Sequence, residues 1–160
     1  MASSPMDLST LRYETLREEH IESVLAIEKA GQSAPWSAAS FRNEINHKHA
    51  VFLVAFLGGE IVGYVGVWLL VDEAHITTVM VRDDHRRQGL GDRLVREALT
   101  RAREKGMTDA TLEVRAGNIA ALKLYERLGF LNVAVRKRYY PDNQEDAVVM
   151  WLYNLAEAKL

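Results

Sequence analysis

The chain has 160 residues, of which 48% are apolar and 26% charged, and its formal net charge is −2. This length suffices for one domain with a core of its own and is short for two. A net charge so close to zero gives no field that would draw the protein to nucleic acid or to an anionic membrane. Cysteine is absent, which excludes disulfides, thiolate metal sites and transfer through an acyl-cysteine.

The ends and the apolar runs of the sequence indicate how it is organised. No run approaches the roughly 20 apolar residues that a membrane helix needs, and the longest, from Ile61 to Val71, contains two glycines and is typical of a strand. Residues 1–10 are small and polar and lack the apolar centre of a signal peptide. We therefore expect a flexible tail over 1–10, a single domain over 11–160 and a cytoplasmic location.

Hydrophobic periodicity and turn residues predict the order β-α-α-β-β-β-α-β-α-β-β. The predicted strands cover residues 11–16, 49–57, 60–71, 74–81, 110–115, 130–136 and 147–153. The predicted helices are 19–30, about ten residues after Ser37, an amphipathic stretch that begins at Leu94 and is closed by Gly106, and a segment from its cap Asn118 to Leu128. Helices separated by strands imply a mixed sheet with helices on both faces.

Trp36 precedes the second predicted helix and has two interpretations. With Ser37 as the N-cap, Trp36 and Phe41 stand at the N′ and N4 positions of a hydrophobic staple, which is a packing role. A role in binding substrate has the same weight.

A basic loop joins the fourth predicted strand to the next helix and reads Arg86-Arg87-Gln88-Gly89-Leu90-Gly91. The first amides of a helix have no intrahelical partner and the helix dipole makes that end positive, so this position can hold a phosphate. The glycines let the backbone approach a ligand, and the arginines add donors suited to a diphosphate. The plain alternative is a surface loop at a basic helix start.

Two familiar phosphate-binding motifs do not fit this loop. A P-loop needs Lys and then Ser or Thr after its last glycine, and here Asp92 and Arg93 follow. The dinucleotide fingerprint needs a third small residue where this chain has Leu94. The remaining pattern, Arg/Gln-x-x-Gly-x-Gly/Ala, resembles the coenzyme A pyrophosphate loop of the GNAT superfamily of N-acetyltransferases.

Further segments make this resemblance more specific. They are Thr111 to Arg115, Ala116-Gly117-Asn118, Leu124 to Phe130, Arg138-Tyr139-Tyr140-Pro141 and Glu145-Asp146-Ala147. Together they resemble the RimI branch, bacterial enzymes that acetylate the N-terminal alanine of a small-subunit ribosomal protein, over roughly residues 11 to 153. Archaeal and eukaryotic protein N-terminal acetyltransferases share several of these motifs.

The resemblance implies an α/β fold with a mixed, mostly antiparallel sheet of about seven strands, flanked by four helices and splayed between strands 4 and 5. It implies acetyl-coenzyme A as cosubstrate and no metal, and the five histidines lie on separate segments without ligand spacing. The residues expected to contact the cofactor are Val79, Met80, Val81, Arg86, Arg87, Gln88, Gly89, Leu90, Gly91, Asp92 and Asn118. Asp92 is an unexpected acid beside a diphosphate, and it could serve the helix N-terminus instead.

Glu113 is the candidate general base. It falls on the strand 110–115, on the side opposite Leu112 and Val114, and because the strand follows a crossover helix we expect a parallel strand covered on both faces. A carboxylate there is either paired with a neighbouring arginine or is a base whose proton affinity is raised by partial burial. The resemblance implies the second, since RimI-like enzymes place their general base at the matching position.

Tyr125 is the candidate general acid. It shares a stripe at helical spacing with Leu124 and Leu128, and most such tyrosines pack in the core. The resemblance implies that its hydroxyl protonates the departing thiolate. Likewise, Asn118 is first a helix cap, and the resemblance adds a coenzyme A contact.

The resemblance implies that the acceptor is the α-amine of a small N-terminal residue such as alanine. Trp36, Tyr139 and Tyr140 would line the entry for this peptide end, with Glu145 or Asp146 near its positive charge, and the alternative for each is a plain packing role. We expect direct transfer in one ternary complex, an N-terminal peptide of a ribosomal protein as partner, no contact with nucleic acid or membrane, and a monomer or weak dimer. Two alternatives stay open: an acetyltransferase for a polyamine or aminoglycoside, and a coenzyme A-binding module without catalysis.

Overall fold

The computed structural model describes residues 8–86 and 88–160. The strands are β1 Arg12–Thr15, β2 Ala50–Leu57, β3 Glu60–Leu70, β4 Glu73–Val81, β5 Asp109–Arg115, β6 Leu131–Arg136 and β7 Ala147–Leu152. The helices are α1 Ile21–Gly31, α2 Ala38–Arg42, α3 Leu90–Glu104 and α4 Ile119–Arg127. The predicted order of elements is confirmed, while most of the predicted tail, residues 1–7, lies outside the described residues.

The seven strands form one sheet in the order β1-β2-β3-β4-β5-β7-β6. Neighbouring strands are antiparallel except β4 and β5, which are parallel. The β4–β5 register holds only three residue pairs and ends at His75 and Thr111. Beyond that pair the two strands run on without further registered partners between them in the described chain, which agrees with the predicted splay.

Helices cover both faces of the sheet, as predicted. One face carries the larger hydrophobic cluster, to which α3 and α4 contribute side chains such as Leu94 and Tyr125. The other face carries a second cluster with Val24 of α1, Phe41 of α2 and Tyr64 of β3. In β2 alternate residues therefore enter one cluster or the other, with Leu53 in the first and Phe52 and Val54 in the second, as the two-residue period of a strand requires.

Two helix boundaries differ from the prediction. The second helix has five residues instead of about ten, because the amides of Glu44 and Ile45 bond to carbonyls only three residues back and the chain continues as tight turns. The third helix starts at Leu90 instead of Leu94. Leu90 is 2% exposed, so its burial fixes the first turn directly after Gly89.

No helix among the described residues is long and apolar enough to span a membrane.

Candidate active site

The gap between β4 and β5 begins at an irregularity in β4. Opposite β3, Ile76 pairs with Val67 and Thr78 pairs with Gly66, so Thr77 is an extra residue in the strand. A Cβ on Gly66 would lie 2.8 Å from the ring of Phe52 and 2.9 Å from Oγ1 of Thr77, so this position requires glycine. Bulges bend the strand that carries them, and this one lies just beyond the last β4–β5 pair.

Glu113 lies beside this gap, two residues past Thr111. Leu112 and Val114 are buried in the cluster beneath α3 and α4, and Glu113 points to the other face, as the alternation predicted. Its side chain is 16% exposed, and its Oε2 lies 2.7 Å from Nε2 of His75. The predicted arginine neighbour is also present, but Nε of Arg136 is 3.9 Å from Oε1.

Two expectations for Glu113 need correction. Its strand is parallel to β4 but antiparallel to β7, and the face that carries Glu113 is only partly covered. Its close partner is His75, which the sequence analysis did not associate with the site. No sequence signal joins the two residues, because they are 38 positions apart and meet only through strand pairing.

Tyr125 is buried among the side chains of the α3 and α4 face, so its predicted packing position is confirmed. Its ring meets Phe130 edge to face at 5.5 Å between centroids. Burial raises the pKa of the Tyr125 phenol, so the hydroxyl keeps its proton at neutral pH. Glu113 and Tyr125 thus lie on opposite faces of the sheet.

The glycine loop begins α3 in the predicted way. Gly89 has φ +81°, a left-handed conformation that favours glycine, and a Cβ built there would meet nothing within 4 Å. Nε of Arg86 donates to the carbonyl oxygen of Val81 at 3.2 Å and its guanidinium pairs with Asp83 at 3.0 Å, which holds the side chain at the end of β4. Gln88 is exposed, and Arg87 lies outside the described residues.

The remaining predicted cofactor residues lie on β4 and at the start of α4. Val79 and Val81 pack towards the α3 face, while Met80 enters the cluster beneath α1. Asn118 caps α4 by accepting a hydrogen bond from the amide of Ala121 at 3.2 Å, which confirms its capping role.

Asp92 does not stand alone beside the loop. It lies in the first turn of α3, where an acid favours the helix dipole, and it pairs with Arg96 one turn later.

The segment between α1 and α2 is held by a buried acid. Glu28 is 1% exposed and accepts hydrogen bonds from the hydroxyl of Tyr64 and, at 2.9 Å, from the backbone amide of Trp36. The rings of Trp36 and Phe41 are 5.2 Å apart, so the predicted contact of the staple is confirmed. Glu28 shares the helical spacing of the apolar residues in α1, but only the tertiary structure brings its two donors to it.

The connection between β6 and β7 lies on the same face as Glu113 and carries Tyr139 and Tyr140. The guanidinium of Arg115 stacks over the ring of Tyr140 at 3.9 Å, and Tyr139, which is half exposed, meets Tyr140 edge to face. The hydroxyl of Ser33 donates to Asp142 at 2.8 Å. This contact joins the segment that carries Trp36 to the segment that carries the tyrosines, so the three aromatic residues belong to two connected loops.

The acids of the β6–β7 connection are used internally. Arg115 pairs with Asp142 at 3.0 Å and with Glu145 at 3.3 Å, and these contacts are among the causes that hold the pKa of both carboxyl groups below the ordinary range. Glu145 also accepts a hydrogen bond from the amide of Gly117 at 2.8 Å, the largest cause of its lowered pKa. Asp146 accepts one from the amide of Arg138. The expected role of Glu145 or Asp146 beside a substrate amine therefore competes with these contacts.

The described part of the chain holds no group of three or more His, Cys, Asp or Glu side chains placed to bind a metal ion.

A splayed sheet with a glycine loop at one end of the gap and a partly buried carboxylate beside it is the arrangement expected for a GNAT N-acetyltransferase. The family described as the Acetyltransferase (GNAT) family matches residues 17–130, and the chain belongs to this family.

Individual proteins are similar to this chain over most of its length. A relative from Bacillus subtilis is 38% identical over 138 residues, which are 86% of this chain and 91% of the relative. The Escherichia coli protein named ribosomal protein bS18-alanine N-acetyltransferase is 34% identical over 79% of this chain and 86% of its own length. The crystal structure of the ribosomal-protein-S18-alanine N-acetyltransferase from Escherichia coli has a TM-score of 0.83 and 29% identity, and the match covers 90% of this chain and 94% of that chain.

Proposed function

We propose that this chain transfers the acetyl group of acetyl-coenzyme A to the free α-amine of an N-terminal alanine, with ribosomal protein bS18 as the acceptor. The observation that carries the proposal is the position of Glu113, which lies beside the β4–β5 gap on the face that also bears the Trp36 and Tyr139–Tyr140 loops. The Escherichia coli relative named for this activity supports it. Such an enzyme would act in the bacterial cytoplasm, where ribosomal proteins are made.

The residues around the gap fit acetyl-coenzyme A. The open space above Gly89 and the free amides at the start of α3 would receive the diphosphate, together with Arg86, Gln88 and, by prediction, Arg87. The backbone of Val79 to Val81, which has no partner in β5, would align the pantetheine arm, and Asn118 would contact the cofactor beside the cap of α4. The bound cosubstrate supplies the activated acetyl group.

Glu113 and Tyr125 would divide the proton transfers between the two faces of the sheet. An α-amine has a reference pKa near 8, against about 10.4 for lysine, so Glu113 can deprotonate an α-amine at lower cost at neutral pH. Backbone amides of β4 that face the gap would stabilise the developing oxyanion. Tyr125, whose pKa is raised by burial, would bring a proton to the departing sulfur from the opposite side.

The paired acids of the β6–β7 connection weigh against a polycationic substrate. A polyamine or aminoglycoside needs several free carboxylates, and Arg115 and Gly117 already engage Asp142 and Glu145. A peptide end carries a single positive charge at its α-amine and makes no such demand. The paired acids therefore favour a peptide α-amine over a polyamine.

The test is acetyl transfer from acetyl-coenzyme A to two short peptides, read by mass spectrometry. One peptide begins with a free alanine, and the other has a blocked N-terminus and an internal lysine. We expect one added acetyl group on the first peptide and none on the second. Modification of only the lysine would refute the α-amine assignment, and binding of acetyl-coenzyme A without transfer to any amine would favour a non-catalytic module.

A further inference from the structure

His75 lies against Glu113, and the proposed function gives this contact a purpose. We propose that His75 is the proton outlet of the site: it receives the substrate's proton from Glu113 and releases it to water. This inference rests on the proposed function and adds to it a residue that acts through the base.

The position of His75 suits an outlet. Its Nε2 lies 2.7 Å from Oε2 of Glu113, which is a short hydrogen-bond distance. Its side chain is 32% exposed, twice the 16% of Glu113, so it is the member of the pair that is more accessible to water. It is also the last β4 residue in register with β5, opposite Thr111, and therefore stands where the gap opens.

The other charged groups near the pair do not offer the same route. Arg136 approaches the second oxygen of Glu113, but a guanidinium cannot accept a proton. Tyr140 interacts electrostatically with Glu113, and Arg115, the next residue of β5 on this face, is engaged by Asp142 and Glu145.

On the other side of β4, His75 is paired with Trp68 of β3, and the indole of Trp68 donates to Glu44 at 3.0 Å. Among the described groups in contact with the Glu113 carboxylate, His75 is thus the one whose side chain can both accept and donate a proton.

The proton balance of the reaction requires such an exit. A substrate that arrives as an ammonium ion carries one proton more than the free amine, and a second N–H proton is lost when the amide forms. One of these two protons replaces the proton that Tyr125 gives to the sulfur of coenzyme A, and the other must leave for solvent. Glu113 would take the ammonium proton and pass it from Oε2 to Nε2 of His75. The imidazolium then releases a proton to water, tautomer exchange returns the lone pair to Nε2, and Glu113 is again a carboxylate.

Two substitutions separate an outlet from a merely structural contact. His75→Gln keeps a side-chain donor that can hold Glu113 in place, but an amide cannot accept its proton. His75→Ala removes both functions and leaves room for imidazole from the buffer. His49→Gln, at an exposed histidine in the segment before β2, is the matched control.

We expect both His75 variants to lower kcat for the alanine peptide about tenfold or more, with the affinity for acetyl-coenzyme A and the melting temperature unchanged. Added imidazole should restore His75→Ala in proportion to its basic form, and His49→Gln should match the wild type without responding. Wild-type turnover by His75→Gln, or no rescue of His75→Ala by imidazole, would overturn the outlet alone. A wild-type enzyme inactive on the alanine peptide would overturn the proposed function, and this inference with it.

Discussion

Replacement of Glu28 by alanine tests how the acceptor side of the site is built. Glu28 is almost fully buried and is bonded to the hydroxyl of Tyr64 and the amide of Trp36, which come from two other segments. Glu28→Ala removes both hydrogen bonds and leaves the Tyr64 hydroxyl, on a residue with no exposed surface, without its acceptor.

The cost follows from these contacts. An unsatisfied buried polar group costs about 1–3 kcal/mol, and a lost hydrogen bond to a carboxylate is of similar size. With the lost packing of the side chain, we expect Glu28→Ala to lower the free energy of unfolding by about 3–5 kcal/mol. For a domain of this size each kcal/mol shifts the melting temperature by roughly 2–4 °C, so the expected fall is about 6–20 °C.

The assay is urea unfolding of three single variants and one double variant. Glu22→Ala, at an exposed position of the same helix, is the matched control and should cost less than about 0.5 kcal/mol. Tyr64→Phe combined with Glu28→Ala should reveal a coupling of about 1–2 kcal/mol, because both changes remove the same hydrogen bond. A cost for Glu28→Ala no larger than that for Glu22→Ala would refute the reasoning.

The same variant should affect catalysis selectively. Glu28 accepts a hydrogen bond from the backbone amide of Trp36. The hydrogen bonds described for Glu28 do not reach the predicted cofactor residues of β4 and the glycine loop. We therefore expect a severalfold higher KM for the alanine peptide at a temperature where the variant is folded, with the KM for acetyl-coenzyme A unchanged. Equal changes in both constants would show that Glu28 supports the whole domain and has no selective effect on the segment that carries Trp36.

Three further changes test other parts of the structure. Gly89→Ala and its control Gly106→Ala place a side chain in the left-handed region with open space around it, so each should cost about 1–2 kcal/mol, but only Gly89→Ala should raise the KM for acetyl-coenzyme A. Gly63→Ala puts a Cβ 2.7 Å from the backbone oxygen of Met80, and we expect a loss of about 1–3 kcal/mol or more by urea unfolding; a neutral effect would contradict this packing. Burial lowers the pKa of His20, so the folded state binds its proton less readily than the unfolded state, and stability is lost as the pH falls below about 6.5. His20→Asn should therefore flatten the decline in melting temperature between pH 7 and pH 5, and an unchanged slope would contradict the assignment.

The order of elements and the conformation of the glycine loop could be predicted from sequence because local chemistry determines them. Gly89 ends the loop in a left-handed conformation and α3 begins directly after it. Ser37 and Asn118 supply the oxygens that cap α2 and α4. The alternation of Leu112 and Val114 with Glu113 was sufficient to place the carboxylate on the opposite face. These features depend on neighbours within a few residues.

The parts that sequence could not predict depend on distant residues. The early end of α2 follows from tight turns after Phe41, whose ring is completely buried against β2 and β3. His75 meets Glu113 only because β4 and β5 pair in one short register. Glu28 finds its donors in β3 and in the segment before α2, neither of which a helical pattern can identify.

Glu113→Gln offers the most direct test of the proposed chemistry. The measurement is kcat/KM for the alanine peptide together with the affinity for acetyl-coenzyme A, with Glu126→Gln on the exposed side of α4 as the control. We expect Glu113→Gln to lower kcat/KM by about a hundredfold or more without a change in cofactor affinity, because the amide cannot accept the proton of the substrate amine. A variant that binds acetyl-coenzyme A normally and acetylates the peptide at the wild-type rate would contradict the assignment of Glu113 as the base.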